Sequence, residues 1–399
     1  MSSTSHEQIP IEPSVIKWAR SSAGYGDIDT AAQKIRVSAA TLMAWEAGEK
    51  SPTIKQLRMM AKAYRRPLAV LLLTEAPADY QPIADFRLIS VGQRQPWSPQ
   101  LVAEYGRALS QREVYLDLHD VAPTTVPSSR LQWTIRAEQS INDASAHARQ
   151  LLHMDAWSAR VWSDPNALLN RAISAVEDLG ILIIHTRDVD IEEARGFSIS
   201  DRPYPLIALN GSDWPRPRMF TLLHELAHIG YNEAGVCDLH ENRRRNAQPT
   251  PEHTCNAFAA AVLMPEPNFL KDSRVKAIKD DQDCTLERLR EVSQVYGSSS
   301  ESTLLRLVDL GRVSWDRYWE LKVELDDVYT KARSEQKIRR REREGGPSYY
   351  VVKARDLGHR YIGNVLTAFD SRVISSSEVT HYLGVRYEQI PKLAQVIRR

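Results

Sequence analysis

The feature that most constrains this chain is the segment His224-Glu225-Leu226-Ala227-His228. In a helix, residues four apart lie on one face, so both imidazoles can reach the same metal ion. A helix is therefore predicted over residues 218–231, with Glu225 placed as general base for a metal-bound water. Two neutral imidazoles, a third protein ligand and an open position suit zinc, which lowers the pKa of that water for attack on an amide. A chance match on an ordinary helix is the alternative until a third ligand is identified.

Several residues downstream of this segment have side chains that bind metals. They are Glu233, Cys237, Asp238, His240, Glu241, Glu252, His253 and Cys255. A thiolate from Cys237 or Cys255 would complete a tighter site of the structural kind. We interpret both cysteines as plain loop or buried thiols. His240 and His253 are interpreted as bystanders, with a role in oxyanion stabilisation as the alternative. The residue types alone leave the third ligand open.

Two segments, RMFTLLHELAHIGY (218–231) and EHTCNAFAAAVLMP (252–265), resemble the ImmA/IrrE family of metallopeptidases. The similarity covers about residues 140–325 and extends to RGFSI (195–199), IALN (207–210) and GVCDL (235–239). The resemblance implies a gluzincin-like zinc endopeptidase. Its implied Zn²⁺ ligands are His224, His228 and Glu252, and its implied catalytic residue is Glu225.

Asn256 lies four residues after Glu252, on the same face of the predicted helix. It is expected to orient a metal ligand or the packing of the helix. A simple structural hydrogen bond is an equally good interpretation of this residue.

Four short helices are predicted within residues 14–73. The first lies at the start of this segment, and the other three cover residues 28–35, 39–47 and 54–64. Two helices separated by three or four residues form a helix-turn-helix. The segment resembles Cro/repressor-type (XRE) DNA-binding domains. The matching residues are AAQKI (31–35), Val37-Ser38, Thr41-Leu42, WEAG (45–48) and Pro52-Thr53. The resemblance implies that the helix over 39–47 enters the major groove of DNA.

The candidate DNA-contacting residues lie around the start of that helix. They are Lys34, Arg36, Ser38, Ala39, Ala40, Thr41, Met43 and Ala44. The lysine and the arginine can contact phosphates, which gives position without sequence information. The outward side chains, three alanines and a methionine, cannot make the bidentate contacts that identify guanine or adenine. The alternative to DNA binding is therefore that this segment is a protein-interaction or dimerisation module. A second copy of the chain, in a homodimer, is one expected partner.

Composition limits the remaining function classes. The 399 residues carry 52 Lys and Arg against 51 Asp and Glu, a net charge of +1, so any nucleic-acid contact must be local. Three cysteines without CxxC spacing favour a reducing cytoplasm over a disulfide framework. No apolar run approaches the roughly 20 residues of a membrane helix, and the polar N-terminus lacks a signal-peptide core. A cytoplasmic protein without a membrane partner is expected.

The chain is predicted to be mainly α with a small β-sheet, an α+β fold. Strands are predicted at residues 181–185, 197–200 and 205–210. The predicted parts are a helix-turn-helix domain (1–75), a helical, Pro-containing connector (76–139), the metallopeptidase domain (140–325) and a helical C-terminal region (326–399). In the last part, residues 331–343 form a basic run, interpreted as a solvated helix face or a nucleic-acid patch. Residues 375–393 are expected to form a helical hairpin or a degenerate second helix-turn-helix.

These observations predict a zinc-dependent endopeptidase that cleaves a regulatory protein. The resemblance implies a repressor with its own helix-turn-helix as the substrate, cut in a stress or mobile-element response. The sequence is compatible both with an active site and with one that is latent until a signal arrives. The alternative is a DNA-binding transcriptional regulator or an antitoxin-like partner of a toxin. In that case the peptidase fold serves for interaction, with little or no proteolysis.

Overall fold

The computed structural model describes residues 10–77, 97–122, 133–136, 138–232, 235–236, 251–342 and 345–398. Their contacts divide the chain into two compact units, Met1–Leu109 and Ser110–Arg399. The boundary falls within one helix, α5 (Pro99–Val121). In the part of the chain that is described, no helix is long and apolar enough to cross a membrane.

The described residues of the first unit are mainly helical, and three of its first four helices begin at a side-chain cap. Its helices are α1 (Pro13–Ser22), α2 (Ile28–Lys34), α3 (Ala39–Glu46) and α4 (Ile54–Ala63), followed by a 3₁₀ turn, Leu68–Leu72. The side chains of Asp27 and Ser38 accept hydrogen bonds from the first turns of α2 and α3. Thr53 forms a capping box with Gln56 at the start of α4. These caps satisfy amide groups that the helix itself leaves unpaired, so they define where α2, α3 and α4 begin.

A small core and one buried ion pair hold this unit together. Leu42, Trp45 and Leu57 belong to the core, all at most 3% exposed. Arg20 on α1 contacts Glu46 at the end of α3, with 2.6 Å between Nε and Oε1 and both side chains at most 10% exposed. Arg20 also donates to two main-chain oxygens in the α1–α2 connection. The pair therefore joins α1, α3 and the loop before α2.

The second unit contains the sheet and the remaining helices. Its helices after α5 are α6 (Ile141–Leu151), α7 (Ala159–Ser163), α8 (Pro165–Asp178), α9 (Pro215–Tyr231), α10 (Pro251–Leu263), α11 (Glu266–Phe269), α12 (Ser273–Lys276), α13 (Leu286–Val295), α14 (Ser300–Asp309), α15 (Trp315–Glu342), α16 (Tyr349–Leu357), α17 (His359–Asp370), α18 (Ser376–Leu383) and α19 (Ile390–Ile397). Its strands are β1 (Leu182–Thr186), β2 (Gly196–Ile199), β3 (Leu206–Asn210) and β4 (Gly235–Val236).

The four strands form one sheet in the order β1-β3-β2-β4. Strand β1 pairs in parallel with β3, and β2 pairs antiparallel with both β3 and β4. Every residue of β1, β2 and β3 is buried, which explains their continuous apolar sequences. The predicted mainly-α fold with a small sheet is confirmed. The short β4 was not among the predicted strands.

Helix α9 lies in the centre of this unit and is buried on all sides. It contacts β2, β3, α8 and α10, and every residue from Met219 to Gly230 is buried. Its N-terminal end is anchored to α15, because the Tyr329 hydroxyl donates to Asp213 Oδ1 at 2.9 Å, next to the first turn of α9. Arg195 contacts the other oxygen of the same carboxylate at 3.3 Å. The position of α9 is therefore fixed both by apolar packing and by a buried carboxylate.

The C-terminal helices pack on strand β1. Helices α16 and α17 contact it, and Gly358 between them comes so close that a Cβ atom there would lie 2.2 Å from the carbonyl oxygen of Ile183. The φ angle of Gly358 is +87°, which only glycine adopts without strain. Glu177 on α8 is buried beside this junction, where its Oε1 accepts from the main-chain N–H of Arg360. The tail is thus a packed part of the second unit.

The predicted boundaries after residues 75, 139 and 325 stay predictions. Much of the predicted connector, including 78–96 and 123–132, lies outside the described residues. Helices occur where the 375–393 pattern placed them, as α18, the Gly384 turn and α19.

Candidate metal centre

The local sequence explains why α9 begins and ends where it does. Pro215 occupies its first turn, where a missing N–H costs no hydrogen bond. Asn232 ends it in the left-handed conformation, with φ at 60°. Within the helix, His224 and Glu225 are fully buried and His228 is 3% exposed. Buried polar groups are costly unless they find partners, so these three side chains need compensation from nearby elements.

For the two histidines, that compensation comes from the beginning of α10. The Nε2 atom of His224 lies 3.0 Å from Glu252 Oε2, and Nε2 of His228 lies 3.2 Å from Glu252 Oε1. The two Nε2 atoms are 3.0 Å apart. Three candidate ligand atoms therefore converge on one point, and these residues form a group that can hold a metal ion. The Glu252 side chain is 12% exposed, whereas His224 is fully buried.

Asn256 contacts the outer nitrogen of the first histidine. Its Oδ1 lies 2.8 Å from His224 Nδ1. Because an amide oxygen only accepts, the Nδ1–H group donates and Nε2 keeps its lone pair for a metal. Asn256 thus fixes both the tautomer and the ring orientation of His224.

Glu225 lies beside the three convergent atoms, on the side of strand β2. A Cβ atom on Gly196 would lie 3.6 Å from Glu225 Oε1 and only 2.6 Å from Thr221 Cγ2. Glycine therefore allows β2 to approach α9 at this point. Both carboxylate oxygens of Glu225 are buried without a hydrogen-bond partner among the described residues. An uncompensated buried carboxylate next to candidate metal ligands is the arrangement expected of a base that acts on a bound water.

The carboxylates have opposite pKa shifts. Burial raises the pKa of Glu225, although the neighbouring His228 and His224 oppose that shift. Burial would also raise the pKa of Glu252, but its hydrogen bonds with the two imidazoles lower it to about 2. Glu252 therefore stays ionised, as a metal ligand requires, whereas Glu225 more readily accepts a proton.

The donor set fits a divalent transition-metal ion. Two imidazole nitrogens and one carboxylate oxygen form three ligands, a set that suits such an ion. The structure thus brings together all four residues that the sequence singled out, with Asn256 behind them.

Comparison with known families now adds independent support. Residues 176–308 match the family model of the IrrE N-terminal-like domain, Peptidase_M78. This segment, about a third of the chain, is similar to M78 peptidases. It includes β1–β4, α9 and α10, and hence every residue of the metal centre, so it supports a metallopeptidase type of function. No curated protein and no solved structure matches the chain at a significant level.

The residues proposed to contact DNA are placed around α3 in the first unit. Lys34, Arg36, Ser38, Ala40 and Met43 are exposed, whereas Ala39, Thr41 and Ala44 are half-buried. The hydroxyl of Ser38 caps the helix, and Arg36 adopts a left-handed conformation with φ at 58° in the turn. The structure places these residues on and before one short helix. Their contact with DNA stays a prediction.

Sequence reasoning missed one feature of the metal centre. It noted RGFSI only as part of a family pattern, although a glycine in an apolar strand is itself a signal of close approach. The interpretation of Cys255 as a plain buried thiol is confirmed, because the residue is fully buried, free and outside the group of convergent ligands. Cys237 and His240 lie outside the described residues, and His253 is half-buried and is not one of the convergent ligands.

Proposed function

We propose that this chain is a zinc-dependent endopeptidase that cleaves a regulatory protein and so controls transcription. The observation that carries the proposal is the convergence of His224, His228 and Glu252 beside the partnerless carboxylate of Glu225. Three protein ligands, two imidazoles and one carboxylate, are typical of catalytic rather than structural zinc sites.

Zinc held by these three residues supplies a Lewis acid for peptide hydrolysis. Glu225 accepts a proton from the attacking water, and its raised pKa makes the carboxylate a stronger base than an exposed glutamate. The same carboxyl then returns the proton to the leaving amine. Asn256 holds the ring of His224 throughout, and the close approach of β2 at Gly196 excludes water from the other side of Glu225.

The proposed substrate is a repressor with its own helix-turn-helix, cleaved in a stress or mobile-element response in the cytoplasm. The M78-like segment supports the peptidase part of this proposal. The helical first unit supports the regulatory part, because α2 and α3 are joined by a short capped turn of the kind used to dock on DNA or on a partner protein. That unit would bring the peptidase to a promoter or to the repressor.

The test compares cells that express the full chain with cells that express Glu225→Gln. New protein N-termini are mapped by mass spectrometry, and zinc is measured in both purified proteins. The variant should retain about one zinc equivalent and lose cleavage by roughly 10²- to 10⁴-fold, the usual contribution of a general base. Glu287→Gln, which makes the same charge change at an exposed position of α13, is the matched control. Equal sets of new N-termini in wild type and Glu225→Gln would refute the proposal.

A DNA-binding regulator or antitoxin-like partner with little proteolysis is the second candidate. The observation that favours it is the exposure of Lys34 and Arg36 at the turn before α3. In that case Glu225→Gln would behave as wild type in cells, whereas Lys34→Ala together with Arg36→Ala would abolish function. The peptidase proposal requires the first variant to fail.

A further inference from the structure

The C-terminal helices α18 and α19 have the same local geometry as α2 and α3. Helix α18 begins at Ser375, whose hydroxyl accepts from the N–H of Glu378, as the carboxylate of Asp27 does for an N–H in the first turn of α2. In both motifs the residue nine positions after the cap adopts the left-handed conformation, Gly384 with φ at 57° and Arg36 with φ at 58°. The next residue, a valine in each, donates its N–H to the carbonyl oxygen five residues earlier. The two turns therefore share their spacing and their backbone hydrogen bonds.

The apolar positions that hold each motif together also correspond. In the C-terminal motif, residues 375–397, they are at most 8% exposed and comprise Val379, Leu383, Val385, Ile390 and Leu393. The residues at the same distances from the cap in the first motif are Ala31, Ile35, Val37, Leu42 and Trp45. These are buried too, except for the half-buried Val37. Helix α17 contacts both α18 and α19. The C-terminal motif thus has the geometry of a helix-turn-helix, with α19 in the place of α3.

The outward faces of the two motifs differ in their chemistry. On α3 the outward side chains are alanines and a methionine. On α19 and the turn before it they are charged or can form hydrogen bonds, and the exposed ones include Arg386, Tyr387, Glu388, Lys392 and Gln395. Arginine and lysine can contact guanine, glutamine can contact adenine, and glutamate can accept from cytosine. The C-terminal motif therefore has the groups for contacting base edges that α3 lacks.

The charge of this face favours a polyanion. Residues 386–398 contain three exposed cations, Arg386, Lys392 and Arg398, against one acidic residue, Glu388. No ion pair joins these cations to another described residue, and Lys392 stays exposed although its Nζ lies 5.9 Å from the centroid of the Tyr350 ring. Exposed arginines and lysines supply much of the affinity of DNA-binding proteins through contacts with phosphates.

A protein partner is the competing occupant of this face. Protein interfaces have an apolar centre, whereas Tyr387 is the one large apolar side chain that is exposed within residues 386–398. We propose that the turn at Gly384 and the exposed face of α19 form a binding surface for duplex DNA, with α19 as the helix that enters the major groove. The inference goes beyond the proposed function, because it does not involve the metal centre.

The test measures binding of the full-length protein to a fluorescein-labelled pool of random-sequence duplexes by anisotropy over a salt series. Arg386→Ala together with Lys392→Ala should weaken binding by roughly 10- to 100-fold at about 0.1 M salt and lower the salt dependence by about two counterions, one for each cation. Lys271→Ala together with Lys276→Ala makes the same charge change at exposed positions near α12. This matched control should bind as the wild type does. Circular dichroism establishes that all variants are folded.

Selection from the same pool gives a second readout. The wild type and the control should select a common sequence, and the Arg386 and Lys392 double variant should not. Equal affinity, salt dependence and selected sequence in that variant and the wild type would assign DNA binding to another surface, such as the cations before α3, and would overturn the proposal.

A wild type that binds no duplex at low salt would also overturn it. Dimers that Tyr387→Ala dissociates would then identify the face as a protein interface. Neither result changes the expected zinc content or the cleavage lost in Glu225→Gln, so the proposed function is tested separately.

Discussion

Helices α9 and α3 are both expected to carry function, yet they present opposite surfaces. Helix α9 is buried from Met219 to Gly230 and contains four buried polar side chains, those of Thr221, His224, Glu225 and His228. Helix α3 has a buried face of Leu42 and Trp45, and its outer face consists of small or apolar side chains such as Met43, which is 47% exposed. A buried polar group is costly unless it has partners, so it is retained for a structural or functional reason, whereas an exposed alanine or methionine costs almost nothing. Polar residues inside a buried helix are therefore strong evidence for a site, and an apolar exposed face is weak evidence.

The largest expected effect tests the α9 side of this comparison. His224→Ala removes one of three convergent ligands, so zinc content should fall from about one equivalent to near none. The exposed His147→Ala is the control and should retain its metal. Metal analysis of the purified proteins measures the effect. Full zinc occupancy in His224→Ala would mean that the burial of this histidine serves packing alone.

The next prediction tests whether a buried polar pair is also important in the first unit, here for its stability. Glu46→Ala leaves the Arg20 guanidinium without its buried partner, which should cost about 3 kcal/mol or more of local stability. Hydrogen exchange of the amides in α1–α4 should accelerate accordingly. Glu49→Ala, an exposed change three residues later, should leave exchange unchanged. Equal rates of amide exchange in Glu46→Ala and Glu49→Ala would mean that the apolar core, not the ion pair, stabilises the unit.

A third prediction separates a buried structural carboxyl from a catalytic one. Burial raises the pKa of Glu177 to about 7, although hydrogen bonding and charge from Arg360 oppose the shift. Because the folded pKa exceeds the ordinary 4.5, the stability linked to this carboxyl is greatest below about pH 4.5 and is lost as the pH rises toward 7. The difference amounts to roughly 3 kcal/mol.

Glu177→Gln should abolish this pH dependence, because glutamine stays neutral and its oxygen can still accept from Arg360. Urea unfolding at pH 5 and pH 8 measures the free energy of unfolding of both proteins. Relative to the wild type, the variant should be more stable at pH 8 than at pH 5. Metal content should not change. If the free energy of unfolding falls equally in variant and wild type between pH 5 and pH 8, other groups cause the pH dependence.

The smallest effect concerns α3. Lys34→Ala should weaken binding to duplex DNA by a similar factor on every sequence and lower the salt dependence by about one counterion. Ala40→Ser should leave sequence preference unchanged, since neither residue can form a bidentate base contact. Fluorescence anisotropy over a salt series measures both. A sequence-dependent loss in Lys34→Ala would contradict the phosphate-contact interpretation.

The sequence predicted the parts of the molecule that depend on local pattern. A few neighbouring residues are enough to identify caps such as Ser38, the apolar strands, and the four-residue spacing of His224 and His228. What it could not predict are pairings between distant segments. The contact of Glu177 with Arg360 spans 183 residues, and that of Asp213 with Tyr329 spans 116. No periodicity encodes such partners, because they arise only when the helices pack.

Strand β1 lies at one edge of the sheet, and the tight approach of Gly358 keeps α16 and α17 against it. An uncovered edge strand is a template for pairing with other chains. A fragment cut to the M78-like segment would lack both helices and leave the apolar β1 uncovered. The limits of the sequence family are thus not those of a stable fragment, and such a fragment should aggregate where the full chain stays dispersed.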